Sequence, residues 1–410
     1  MSDEFKPNIL LLAPYSFPPI CAESLATCKF IKACLDKGWD VSVIAQNRHA
    51  KLEPKKINTH WDCVEKVTYK IDINSHSSSK WFVNKLRLLI WVYQSTILGI
   101  KLINSGKYDV IFSRATPLYG HLLGFLVRTV SKKKVVWVAN WSDPMPLSKA
   151  PPPYGQGIKA KISFIEKKLL SLIGNGASYH TFPTERLKDY YASFLPEISN
   201  KSGVIHHVAL DAFNISPQEN DVFTLCCSGS FTLRPVKLIF IALSRLQKRY
   251  GNQIHLRLLT SEMSRLKEEA LECEVESIVK IEPLREYHEN QEYLATSSAL
   301  MIIEAQCNEG IFLPSKLTDY IQIGLPILAI SPPIGALNDL FTNYGGGIAA
   351  DNTSVESIEK AIELLYQEWL NGSLHKNFGS CHLRQYFGNT AVLEQLKDAI
   401  QVAKINHSTK

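Results

Sequence analysis

The chain of 410 residues has nine cysteines but no C-x-x-C and no His/Cys spacing of the kind that holds zinc. That removes a disulfide framework and a structural zinc module, and leaves the thiols as buried or idle groups of a reducing compartment. The turn after the first apolar strand is APYSFPPI rather than G-x-G-x-x-G, and no G-x-x-x-x-G-K-[ST] is present. A nicotinamide-type dinucleotide site is therefore disfavoured and a P-loop is excluded. G-x-S-x-G is missing, which weakens a serine-hydrolase reading, and no D-x-D pair stands ready to hold a divalent ion between phosphates. No uninterrupted apolar run approaches the roughly 20 residues that span a bilayer. The start, MSDEFKPNILLLAPY, is acidic and lacks the basic opening and small-residue cleavage site of a signal peptide, so a cytoplasmic protein is expected.

Acidic residues are scarce in the first half: 28 Lys+Arg stand against 16 Asp+Glu through Ala212, and 17 against 23 in the remainder. A basic half suits an anionic surface or acceptor, and an acidic half can be a solvated exterior. The positive residues are dispersed and no nucleic-acid module appears, so nucleic acid is not an expected partner.

What is there is a regular alternation. NILLLA, WDVSVIA, YDVIFS and VVWVAN are strands, separated by amphipathic stretches such as AESLATCKFIKACLDKG and LYGHLLGFLVRTV. Alternation of this kind predicts parallel strands with right-handed helical crossovers. After a polar stretch, NISPQENDV, the rhythm restarts at VFTLCCSG and runs through HLRLLT, SIVKIEP, ALMIIEA and PILAIS. At this length two domains are the natural division. The expected domains are 1–212 and 213–387, with 388–410 a last helix that packs back on the first domain. Two doubly wound sheets facing each other would enclose a cleft, with ligands at the carboxyl ends of the strands.

The stretch IFLPSKLTDYIQIGLPILAI, from Ile311 to Ile330, carries the densest local signal. Pro314 presets its backbone angle, Ser315 can cap orphan amides, Leu317, Tyr320 and Ile321 repeat at helical spacing, and Gly324 with Pro326 ends the helix. The first turn offers unpaired N–H groups and the positive end of the helix dipole. Lys316 adds a full charge there, a combination suited to phosphate. An ordinary strand, helix and strand with a surface lysine has the same pattern.

Three stretches together resemble the GT-B-fold glycosyltransferases of the retaining, family 4-like kind, which use nucleotide-sugar donors. ALMIIEAQCNEGIFLPSKLTDYIQIGLPILAI is similar to that family's donor block, WVANWSDPMP to its first-domain acceptor loop, and SGSFTLRPVKL to the start of its donor domain. The resemblance implies two facing Rossmann-like domains and a donor held by the second half. It also implies a glycan or lipid-linked acceptor met by the first half, and transfer with retention and without a metal or other cofactor. It places Pro314, Ser315, Lys316 and Leu317 at the donor diphosphate and gives Asp319 the second acid of E-x₇-E, on the ribose hydroxyls. Ile311 stands where the first acid would be, so Glu309 is the candidate substitute, and PPICAE replaces the usual first-domain glycine pair. Arg234 is a second phosphate candidate because a planar guanidinium can hold two oxygens at once, with Lys237 behind it. A surface role fits both as well. A sugar-nucleotide epimerase or hydrolase on the same scaffold, or a catalytically silent nucleotide-sugar-binding protein, are the alternatives.

In the first half, Asp143 follows strand VVWVAN in a Trp-Ser-Asp-Pro loop, where a base could meet an acceptor hydroxyl. A helix cap or Asp-Pro turn gives the same residues. His121, on the helix after SRATPLY, is the other candidate for the reaction, or else a core histidine. His206 and His207 read as packing residues near the hinge. Finally, KWFVNKLRLLIWVYQSTILGIKL, residues 80–102, either lies on the inner face of an anionic membrane with Lys85, Arg87 and Lys101 at the headgroups, or is a core helix.

Overall fold

The structure, a computed structural model, describes residues 5–47, 59–72, 81–211 and 221–408. It divides into two compact units, Met1–Val208 with Asn389–Lys410, and Ala209–Gly388. Most of the linker expected at 213–221 lies outside the described residues. The boundary falls at Val208 rather than Ala212 because Ala209 already pairs with the second unit. Its N–H donates to the Phe387 carbonyl at 2.7 Å, and Leu210 N–H donates to Gln322 Oε1 at 3.0 Å.

The first unit is built on seven strands, β1 (Ile9–Leu12), β2 (Val41–Asn47), β3 (Thr68–Asp72), β4 (Val110–Ala115), β5 (Val136–Trp141), β6 (Tyr179–Phe182) and β7 (Ser202–Val204). They lie in the order β3-β2-β1-β4-β5-β6-β7, every pair parallel. Parallel neighbours require a crossover, and the intervening helices supply it. Helices on both faces explain why β1 is buried at all four positions and carries no polar residue. The second unit repeats the plan with β8 (Phe223–Ser228), β9 (Ile254–Leu259), β10 (Val279–Glu282), β11 (Ala299–Ile303), β12 (Ile327–Ser331) and β13 (Gly347–Asp351). Its order is β10-β9-β8-β11-β12-β13, again all parallel. Both sheets are the expected doubly wound α/β type. Strand order reverses between β1 and β4 and between β8 and β11, the points where such sheets open a crevice beyond their carboxyl ends.

The terminal helix, Asn389–Ser408, belongs to the first unit. Val392, Leu396, Ile400 and Ala403 repeat at helical spacing and are fully buried, with the helix against β5, β6 and the helix Ala22–Asp36. In the second unit, the helix Ser315–Ile323 covers one face of the sheet through Leu317, Tyr320 and Ile321. It stops at Gly324, whose φ of +89° is left-handed and suits a residue without a side chain.

Candidate functional site

The loop from β11 delivers the chain to the helix Ser315–Ile323 at the β8/β11 reversal. Pro314 is the N-cap, and no side chain caps the first turn. This corrects the role expected of Ser315: as the first helical residue, it presents its own amide and that of Lys316 beyond the helix instead of capping them. Leu317 N–H is turned inward to the Pro314 carbonyl at 2.9 Å. The Leu317 side chain is fully buried in the core under the sheet, so it cannot touch a ligand and acts as an anchor for the turn.

Lys316 lies across the reversal, on the turn that follows β8. A Cβ at Gly229 would come within 2.7 Å of Lys316 Cε and Nζ, and Gly229 has φ +128°, a conformation side chains disfavour. The ammonium also stands 5.8 Å from the centre of the Phe231 ring. The turn is fixed from behind by Glu262, whose Oε1 accepts from Phe231 N at 2.7 Å, Thr232 N at 3.1 Å and Ser230 Oγ at 2.8 Å. Burial works against that carboxylate, yet its hydrogen bonds from Ser230, Arg265, Phe231 and Thr232 hold it down at about 2.

Arg234 is half-buried on the same turn. Burial pushes the Cys227 thiol up, and the charges of Lys316 and Arg234 both oppose it, so both cations are felt near the end of β8. Lys237 does not join them: it is exposed and pairs with Glu272 at 2.7 Å. Asp319, buried one turn into the helix, accepts from Tyr287 Oη at 2.9 Å, and Gln322 Nε2 donates to the same oxygen of Tyr287 at 3.2 Å. Glu309 and Pro314 are partly exposed on the connecting loop.

A residue that the sequence reading passed over completes this group. Glu304, at the end of β11, is 7% exposed, and its Oε2 has no hydrogen-bond partner among the described residues. That oxygen stands 3.4 Å from where a Cβ on Gly310 would sit. Burial lifts the carboxyl to about 7, with Arg234 opposing. Glu304, Glu309 and Arg234 all act on the thiol of Cys307, so the charge of Arg234, on the turn after β8, reaches the loop that carries the two acids. The signal was present as an acid closing the apolar run ALMII.

In the first unit, Arg114 ends β4. Its Nε is 3.1 Å from Glu23 Oε1, with the two side chains 5% and 12% exposed, and its Nη2 donates to Ser142 Oγ at 3.2 Å. Asp143, the next residue, accepts from Thr116 Oγ1 at 3.3 Å. Burial raises the Asp143 carboxyl, against the Thr116 hydrogen bond and Arg114. Burial also lifts Glu23 to about 7, opposed by Arg114 and reinforced by the charge of Asp143. Two carboxyls and one guanidinium thus form a connected group at the carboxyl ends of β4 and β5. Glu23 closes the PPICAE turn noted for the glycine pair it lacks, and nothing in that pattern singles out its acid.

No family model matches the chain, and no curated protein matches it in sequence. Solved structures do match. Anabaena Alr3699/HepE in complex with UDP and glucose superposes with a TM-score of 0.67 at 13% identity, covering 96% of this chain and 99% of that one. A glycosyltransferase from Rickettsia africae ESF-5 gives 0.64 at 13% identity, over 98% and 100%. The apo form of the lipopolysaccharide outer core galactosyltransferase WaaB gives 0.61 at 12%, over 97% and 99%. The fold is that of the GT-B glycosyltransferases.

Within the GT-B frame, the remaining candidates find their places. His121 is a correction: its side chain is fully buried, Nδ1 lies 2.8 Å from Ser113 Oγ, and the ring meets Trp141 edge-on at 4.2 Å. Burial and the neighbouring His180 and Arg114 hold it well below the usual histidine range, so it stays neutral and packs the core. His206 Nδ1 is 2.9 Å from the Pro183 carbonyl, and His207 lines a recess with Phe30, Phe112, Arg114 and Asn140. Among the described residues, no group of three or more His, Cys, Asp or Glu could hold a metal ion.

Proposed function

We propose that this protein transfers a sugar from a nucleotide-sugar donor to a glycan or lipid-linked glycan in the assembly of a bacterial-type surface polysaccharide. The observation that carries this reading is Lys316 with Arg234 at an uncapped helix N-terminus beyond β8 and β11. Negative charge grows on the departing diphosphate as the sugar C1–O bond breaks, so fixed amides and cations are worth most at the barrier. Ser315 and Lys316 amides with Lys316 Nζ and Arg234 receive the diphosphate, Asp319 the ribose hydroxyls, and Glu304 or Glu309 a sugar hydroxyl. The acceptor oxygen forms the new bond to C1 as the diphosphate departs, and its proton passes to Asp143, whose carboxyl burial raises above its ordinary range. Retention, independence from metals, and a cytoplasmic site at the inner membrane face, reached through residues 80–102, complete the proposal. Support comes from the matching folds: HepE is seen in complex with UDP-glucose, and WaaB is a lipopolysaccharide outer core galactosyltransferase.

The test is binding and turnover by the purified chain. UDP and UDP-sugars are expected to raise its melting temperature, because a ligand of the folded state stabilises by mass action. Lys316→Ala is expected to weaken UDP binding about tenfold or more, the scale of a charge-assisted hydrogen bond, with the melting temperature of the free protein unchanged. Unchanged affinity would remove the site. Release of free or epimerised sugar without an acceptor would replace transfer by hydrolysis or epimerisation, and binding without turnover across a broad acceptor panel would leave a silent binding protein.

A further inference from the structure

The helix Trp81–Asn104 is, from Val83 on, long and apolar enough to cross a membrane. Its packing argues against crossing. Trp91, Ser95 and Ile103 are fully buried, and Gly99 lies so close to Val127 that a Cβ there would come within 2.6 Å of it. This seats the helix against the helix Tyr119–Val130 and the sheet. A spanning orientation would strip that face from the core. The opposite face is apolar as well: Leu86, Leu89, Ile90, Tyr93 and Ile97 form a stripe at helical spacing, Leu89 64% and Tyr93 67% exposed. On the other flank of Tyr119–Val130 packs the helix Phe164–Gly176. It opens with Phe164 and Ile165, 79% and 77% exposed, next to Lys161, Lys167 and Lys168. The carboxylate at that tip, Glu166, is taken up by Ser163 N at 2.8 Å and Ser163 Oγ at 2.7 Å.

Charge decides what covers this face. Residues 81–183 hold 14 Lys+Arg against three acids, Asp109, Asp143 and Glu166, leaving 31 against 36 in the rest of the chain. Asp109 accepts from Asn8 N, and Asp143 belongs to the Arg114 group. A second copy of so basic a face would be repelled, whereas an anionic lipid surface attracts it.

We infer that this unit docks on an anionic bilayer through two separate contacts, the flat helix Trp81–Asn104 and a second anchor in which Phe164 and Ile165 enter the lipid beneath Lys161, Lys167 and Lys168. The second anchor extends the contact proposed for residues 80–102, and neither depends on sugar transfer. Apolar side chains at the acyl boundary and lysines at the headgroups are the pairing that holds interfacial helices, and two contacts bind more firmly than one.

The experiment is flotation of the full chain with vesicles of phosphatidylcholine alone or with about a third phosphatidylglycerol, at roughly 0.1 M salt. The wild type is expected to float with the anionic vesicles and not with the neutral ones. Phe164→Ser with Ile165→Ser, and separately Lys167→Glu with Lys168→Glu, are each expected to lower partition more than about tenfold. These side chains are on the surface, so melting temperature and UDP binding serve as controls and are expected to match the wild type. No flotation, equal flotation with neutral vesicles, or self-association of the chain through this face overturns the inference. If Leu89→Ser with Tyr93→Ser abolishes flotation while the Phe164 and Ile165 variant floats like wild type, the second anchor is refuted.

Discussion

The two switch-point groups are built on opposite principles. In the first unit, Arg114 is already engaged by Glu23 and Ser142, and Asp143 by Thr116, so the charges answer one another inside the protein. In the second unit, the amides of Ser315 and Lys316 have no cap, and Glu304 Oε2 has no partner among the described residues. The contrast teaches where binding energy is available. A group satisfied at home gains little from a ligand, whereas one held in place and left unsatisfied gains the whole interaction without reorganisation. The first group is therefore suited to orienting groups and moving protons, and the second to binding.

The largest effect expected from breaking this contrast is at Arg114. Arg114→Leu leaves two buried carboxyls without their cation, a change that costs about 3–5 kcal/mol when a buried pair loses one partner. The loss is expected to be larger at pH 8 than at pH 5.5, because Glu23, with its carboxyl near 7, is charged at the former and neutral at the latter. Urea unfolding at the two pH values reads it, and a pH-independent loss would mean that Glu23 is not the partner that matters.

Glu304 gives the next largest effect, with the opposite sign. Its carboxyl is raised from an ordinary 4.5 to about 7, so the folded protein holds a proton that the unfolded chain releases between those values. Stability is full below about 4.5 and declines as pH rises through 7. Glu304→Gln keeps a neutral group of the same shape and is expected to be more stable than wild type at pH 8 by up to about 3 kcal/mol, and equal to it at pH 4.5. Parallel pH profiles for the two proteins would show that Glu304 is not buried as a neutral acid.

What was legible in the sequence was periodicity. Parallel sheets, the repeat of the plan after residue 221 and the helix after Pro314 all follow from spacing along the chain, which local physics sets. Side-chain direction was not. Leu317 and Lys316 are neighbours, and one is core while the other lies on Gly229, a distinction made by a strand far away in sequence. His121 turned inward because Ser113 and Trp141 meet it there. Glu304 and Glu23 went unseen for a related reason: an acid at a strand end or in a first helical turn ordinarily faces water, and only tertiary contacts bury it.

Gly229 sharpens the comparison from the side of shape. Gly229→Ala places a methyl group where Lys316 Cε and Nζ lie and forces a side chain onto φ +128°. UDP affinity is expected to fall about tenfold, as for Lys316→Ala, with about 1 kcal/mol of stability lost to the strained backbone. Titration calorimetry with UDP separates the two effects. Wild-type affinity in this variant would show that the lysine does not need its seat.

The smallest effect belongs to the lysine one turn further on. Lys237 carries the same charge as Lys316 and stands three residues from Arg234, but it is exposed and its ammonium is already held by Glu272. Water and salt screen such a pair, and its contribution to stability is small. Lys237→Ala is therefore expected to leave both the UDP affinity and the melting temperature at wild-type values. If it instead weakened UDP as much as Lys316→Ala, net charge near the end of β8 would be what attracts the diphosphate. The distinction between a cation seated on Gly229 and one engaged elsewhere would then carry no weight.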